Sequence, residues 1–204
     1  LPYIDNVDVS LLGEALPGFW VLNSEDVSYT YGTMGFGSTN WARGLLRDPM
    51  LRRDTENPDG YGEDIHAINL NRLALTRLGL DPDWGEFTKY VSSENITNSN
   101  WRDLAQAYLA SREESDTIWG WKDPRNSILL NEWMEVDSNL KVLATFRPPW
   151  DVIASFSRTK HKFYPKNTVK IAKMWCNFNQ CILNFKKQYP SQCIILPASL
   201  IINS

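Results

Sequence analysis

The stretch Leu140–Phe146 (LKVLATF) is the strongest strand signal in this 204-residue chain, mostly apolar and stopped by Arg147-Pro148-Pro149. Helical patterns stand on both sides of it, Asn126–Val136 before and Trp150–Arg158 after. That alternation recurs along the chain. Strands are predicted at Val27–Tyr31 (VSYTY), Thr117–Trp121 (TIWGW) and Cys193–Leu196 (CIIL). Further helices are predicted at Trp41–Leu46, at Glu63–Leu78 with Ile65, Ile68, Leu73 and Leu75 as apolar positions, and at Trp101–Glu113. Val169–Lys187 reads as a long amphipathic helix, with Trp175 and Phe178 assigned to the core. Strands separated by helices imply a parallel sheet covered on both faces. The expected class is α/β: three layers, a mainly parallel sheet, and one domain over residues 1–204. A chain of this length buries roughly 70% of the surface its unfolded form exposes, enough for a core without staples.

Composition narrows the function classes. Lys and Arg number 21 against 24 Asp and Glu, for a formal charge of −3. That balance disfavours a general nucleic-acid binder, which needs a basic excess, and leaves room for a local basic pocket. Aromatics at 12% with so small a net charge exclude disorder. Nine Trp imply either a dense core or a pocket that stacks flat rings. The three cysteines, Cys176, Cys181 and Cys193, form no C-x-x-C pair, so neither a disulfide framework nor a zinc site is expected. A reducing, cytoplasmic location is the simpler reading. No apolar run approaches the ~20 residues of a membrane span, and no basic-then-apolar signal segment occurs.

The chemistry collects where predicted strands end. Ligands of parallel sheets bind beyond the strands' carboxyl ends. Three such ends carry loaded turns: Gly35-Phe36-Gly37-Ser38-Thr39-Asn40, then Lys122-Asp123-Pro124-Arg125, then Arg147 with Ser155 on the helix behind it. Each has a plainer reading by itself. A glycine turn supplies positive φ, Asp123 with Pro124 starts a helix, and Arg147 is a solvated loop charge. Together, backbone N–H groups, a Lys and two Arg on one edge suit a ligand with more than one phosphate. No Lys occurs from Gly32 to Asn40, so the loop is not a Walker A motif and an ATP or GTP hydrolase is disfavoured.

Four stretches resemble the PAPS-dependent sulfotransferases, in their bacterial form. Gly37-Ser38-Thr39-Asn40-Trp41 is similar to the loop that binds the 5′-phosphosulfate. Asn57-Pro58-Asp59-Gly60-Tyr61-Gly62-Glu63, followed by Ile68 and Asn71, resembles the N-x-x-G-Y-W-E segment. Trp119-Gly120-Trp121-Lys122-Asp123-Pro124-Arg125 matches the G-x-K-D/T-P-R turn. Phe146-Arg147-Pro148-Pro149-Trp150-Asp151-Val152, running on to Ser155, resembles the site where a strand-end Arg and a later Ser hold the 3′-phosphate. The resemblance spans roughly Gly32 to Leu196. It implies a P-loop NTPase-like sulfotransferase fold, 3′-phosphoadenosine 5′-phosphosulfate (PAPS) as co-substrate, no metal, and a small-molecule, carbohydrate or lipid acceptor.

On that resemblance Gly35, Phe36, Gly37, Ser38, Thr39, Asn40, Trp41, Arg147 and Ser155 bind the nucleotide. Trp41 either stacks on the adenine or is a core Trp at a helix start. Glu63, Lys122 and His66 are the catalytic candidates. Glu63 is favoured as base over Asp64, His66, Asp123 and His161, and His66, three residues on, is expected to share its face. Lys122 is expected to contact the acceptor or the sulfuryl group rather than a structural partner. The family's loop usually carries Lys or Arg where alignment through Thr39 puts Phe36, leaving Lys122 or Arg43 as substitute cation. Two other readings stand beside the sulfotransferase: a catalytically silent PAPS-binding relative and a P-loop-like small-molecule kinase.

Overall fold

The computed structural model describes residues 19–23, 49, 63–82, 100–112, 119–158 and 167–198. In chain order these form β1 (Phe19–Asn23), α1 (Ile65–Arg77), α2 (Trp101–Arg112), β2 (Trp119–Lys122), α3 (Asn126–Val136), β3 (Leu140–Phe146), α4 (Pro149–Arg158), α5 (Thr168–Gln188) and β4 (Cys193–Pro197). The expected strand at Val27–Tyr31, the glycine turn, the helix at Trp41–Leu46 and His161 lie outside the described residues.

Local chemistry sets the helix ends. Asp64 caps α1, its Oδ1 accepting the backbone N–H groups of His66 at 2.7 Å and Ala67 at 3.4 Å. Gly79, at φ 70°, ends it by a Schellman motif: Leu80 N–H donates to Leu75 O at 2.9 Å and Gly79 N–H to Thr76 O at 3.0 Å. Asn167 caps α5 through the Lys170 N–H at 3.1 Å.

The strands hydrogen-bond in the order β2-β1-β3-β4. β3 and β4 are parallel, whereas β1 runs antiparallel to both β2 and β3. Among the described strands the sheet is therefore mixed, where a mainly parallel one is expected from the sequence. β1 was missed because a five-residue strand followed at once by polar residues carries too little period to stand out. The directions of β2, β3 and β4 nonetheless agree, since β2 and β3 each oppose β1. The connections β2–α3–β3 and β3–α4–α5–β4 both advance toward the β4 edge, and α3 and α5 pack together. Helix α3 also packs on β1, and α5 packs on β4 and α4.

The core lies between that helical layer and the sheet. Leu140, Val142 and Ala144 of β3 join it with Leu129, Leu130 and Trp133 of α3 and Ile182 and Phe185 of α5. Leu143 and Thr145, on the opposite face of β3, are also buried, so both faces of this strand are covered. Three of the nine Trp belong to a dense core: Trp101, Trp121 and Trp133 are fully buried. Trp133 sits 5.3 Å from Trp101 and 4.7 Å from Trp121, and Tyr108 meets Trp121 edge to face at 5.7 Å. Edge contacts of this kind add ~0.5–1.5 kcal/mol each beyond area burial. A second cluster, Val152 and Phe156 of α4 with Ile171 of α5, anchors α4.

The three cysteines are free thiols, with Cys193 buried and Cys176 exposed. Among the described residues no helix is long and apolar enough to cross a membrane, and no cluster of three or more His, Cys, Asp or Glu is placed to hold a metal ion.

Candidate functional site

Glu63 and Lys122, 59 residues apart in sequence, meet at the carboxyl end of β2. The Lys122 Nζ donates to Glu63 Oε1 at 2.9 Å, and both residues are buried. Glu63 sits just before the α1 cap, and Lys122 is the last residue of β2. Burial raises the proton affinity of Glu63 above the ordinary carboxylate value, opposed mainly by the neighbouring Lys122 ammonium and reinforced by the Asp123 charge. Two candidates from separate motifs thus form one acid–base pair. Lys122 accordingly has a partner inside the fold, contrary to the expectation that it stands free for a ligand.

The turn after β2 is built around Asp123. Its Oδ1 accepts Arg125 N–H at 3.0 Å and Arg125 Nη1 at 2.8 Å, while its Oδ2 accepts Asn71 Nδ2 at 2.9 Å. Arg125 Nε reaches back to Pro82 O at 2.9 Å. Three donors on one fully buried carboxylate hold it in place, and all of them come from the fold itself. The plainer reading, with Asp123 as cap and Pro124 as first helical residue, is corrected: α3 begins at Asn126 behind Arg125 with no side-chain cap, and Asp123 tightens the turn ahead of it through the Arg125 N–H. The same geometry aims Lys122 at Glu63.

Asp64 faces away from that pair. Its Oδ2 accepts Arg112 Nη2 at 2.7 Å and the Tyr108 hydroxyl at 3.1 Å. Burial and the Asp64 charge push the Tyr108 phenol far above its ordinary value. Neighbouring carboxylates therefore diverge, Glu63 to the β2 end and Asp64 to α2. His66 does not join them. It is exposed in the first turn of α1 while Glu63 is buried ahead of the cap, so the shared face expected from their spacing does not form. A three-residue spacing places side chains together only when both lie within the helix.

Arg147 follows β3 directly and is half-buried. Its carbonyl accepts the indole N–H of Trp175 at 2.8 Å, which pins the strand end to α5. Among the described residues its guanidinium has no hydrogen-bond or ion-pair partner. Ser155 is half-buried in α4, beside the stripe of Val152 and Phe156 that packs inward. Across β1, Lys122 stands level with Leu143. Arg147 therefore lies about 10 Å across and about 13 Å further along, at ~4.8 Å per strand spacing and ~3.3 Å per residue. The Lys122 turn and Arg147 share an edge, as expected, at a separation that suits an elongated ligand.

Gly35, Phe36, Gly37, Ser38, Thr39, Asn40 and Trp41 lie outside the described residues. Sequence reasoning missed the structural part of Asn71 and Asn126, and of Trp175 it read the packing but not the hydrogen bond to Arg147 O. Asn71 shows one local signal, a polar side chain in the middle of the buried α1 stripe of Ala67, Ile68, Ala74 and Leu75. Scanned against protein-family models, curated proteins and solved structures, the chain matches none of them.

Proposed function

We propose that this chain is a PAPS-dependent sulfotransferase with a three-layer, P-loop-like fold. The observation that carries the reading is the meeting of Glu63 and Lys122 at the carboxyl end of β2. Two motifs that resemble the family at distant places in sequence supply one buried acid–base pair. A shared direction of β2, β3 and β4, both faces of β3 being buried, and an Arg147 guanidinium that is unengaged among the described residues on the same edge support it further.

In this reading Arg147 and Ser155 bind the 3′-phosphate of the nucleotide, and residues 35–41 bind the 5′-phosphosulfate. Glu63 accepts the proton of an acceptor hydroxyl as its oxygen forms a bond to sulfur. The sulfur–oxygen bond to the phosphate breaks, and the leaving phosphate keeps the electron pair. Lys122 offers its ammonium to the charge that develops on the transferred group, the contribution Phe36 does not make in the loop. Its separation from Glu63 during that step leaves the carboxylate a stronger base, since the ammonium is what lowers its proton affinity. The acceptor is a small molecule, carbohydrate or lipid.

Nucleotide titration tests the reading. Adenosine 3′,5′-bisphosphate should bind with micromolar affinity while ATP does not compete. Arg147→Ala should weaken the bisphosphate by about 10- to 100-fold, the loss of charge-assisted hydrogen bonds worth ~1.5–3 kcal/mol. The analogue lacking the 3′-phosphate should bind both proteins alike. Equal losses for the two nucleotides, or none for either, reject the assignment; binding without sulfuryl turnover favours the catalytically silent relative.

A further inference from the structure

Asn71 lies in the middle of α1 and is fully buried, where an apolar side chain would pack without needing partners. Its amide is engaged on every side. Nδ2 donates to Asp123 Oδ2 at 2.9 Å and to Asn126 Oδ1 at 2.8 Å, and Oδ1 accepts Trp133 Nε1 at 2.9 Å. The orientation admits one assignment, because an indole N–H only donates and a carboxylate only accepts. Asn126 Oδ1 also accepts Trp121 Nε1 at 3.2 Å. Through one side chain, α1 is tied to the turn after β2 and to α3.

The element so tied is the one that follows Glu63, and the carboxylate so held is the neighbour of Lys122. We infer that Asn71 is a positioning residue for the Glu63–Lys122 pair, acting through the Asp123 carboxylate that it fixes beside them. The inference rests on reading Glu63 as the proton acceptor. The charged groups acting on Glu63 are Lys122 at the end of β2 and Asp123 and Arg125 in the turn beyond it. Lys122 and Arg125 favour the ionised form, and Asp123 opposes it. Asn71 is the donor on the Asp123 oxygen that Arg125 does not touch, so it sets where that opposing charge stands. Losing the amide removes the restraint on Oδ2 and lets the Asp123 carboxylate move. That movement weakens the negative potential at Glu63, which then releases its proton at lower pH.

A double-mutant cycle read by side-chain carbon-13 NMR tests this in the free protein, with the Glu63 signal assigned by its loss in Glu63→Gln. Asn71→Leu and Asp123→Asn should each move the Glu63 titration to lower pH. The double variant should titrate like Asp123→Asn alone, since Asn71 acts only through that carboxylate. Should Asn71→Leu fail to fold, Trp133→Phe replaces it. That change removes the indole N–H that orients the amide while keeping an aromatic ring, and it should move Glu63 in the same direction, less far. An unmoved Glu63 titration in folded Asn71→Leu or Trp133→Phe makes Asn71 a purely structural residue and overturns the inference. Equal, additive shifts in both backgrounds overturn it too. Failure of the bisphosphate to bind would instead strike the sulfotransferase reading and leave this titration unchanged.

Discussion

Glu132 is costly to keep ionised in the helical layer. It lies in α3, only 5% exposed, with its Oε2 lacking any hydrogen-bond partner among the described residues. Burial, reinforced by the charge of Glu135, pushes its carboxyl from 4.5 up to about 7. At about 1.36 kcal/mol per unit, ionising it in the folded protein costs about 3 kcal/mol more than in the unfolded chain. The folded state therefore keeps its proton up to about pH 7, while the unfolded chain releases it near pH 4.5. Between those values the native state binds more protons, so this group's contribution to stability falls as pH rises through the window and is level above it. Glu132→Gln keeps the shape and removes the titration. Its buried amide carries an unsatisfied-donor cost of ~1–3 kcal/mol, the same at every pH. The free-energy difference between variant and wild type should therefore shift in favour of the variant by about 2–3 kcal/mol between pH 5 and pH 8. Urea unfolding at both pH values measures it, with roughly 5–10 °C expected in Tm for a domain of this size. The Cys181 thiol, raised by burial and by the Glu132 charge, should also react with alkylating reagents at lower pH in the variant. A variant-to-wild-type difference equal at pH 5 and pH 8 would refute the reasoning.

Lys122→Met leaves Glu63 buried with its principal cation gone, and should cost ~3–5 kcal/mol at neutral pH, less in acid where Glu63 protonates. Denaturation across pH checks this, and a loss of only ~0.5 kcal/mol would mean the pair is solvated. Asp64→Asn keeps an oxygen to cap α1 but removes the charge facing Arg112 and Tyr108, whereas Asp64→Ala removes both. The alanine variant should be less stable than the asparagine variant by ~1 kcal/mol, the worth of the cap. In both, spectroscopic titration should find the Tyr108 phenol ionising at lower pH than in wild type.

Local pattern was enough to place most elements. α3 falls on Asn126–Val136 and β3 on Leu140–Phe146, as read from apolar periodicity and the Arg-Pro-Pro stop. α5 and β4 fall within a residue of expectation, because a long amphipathic stretch and a short apolar run bounded by polar residues are both signals of short range. The residues that carry charge to the sheet edge were also legible, since Lys122 and Arg147 stand at strand ends whatever those strands pair with. What the tertiary structure decided is who faces whom. Strand direction depends on partners far away in sequence, so β1 could enter between β2 and β3 antiparallel without any local mark. Glu63 and Asp64 are neighbours of one charge, yet one pairs with Lys122 and the other with Arg112, because the chain turns into the helix between them. Asn71 and Trp175 read as helix residues, and their roles come from carboxylates and carbonyls brought within 3 Å by folding. A buried polar group takes its meaning from its partners, and those are set only when the elements pack.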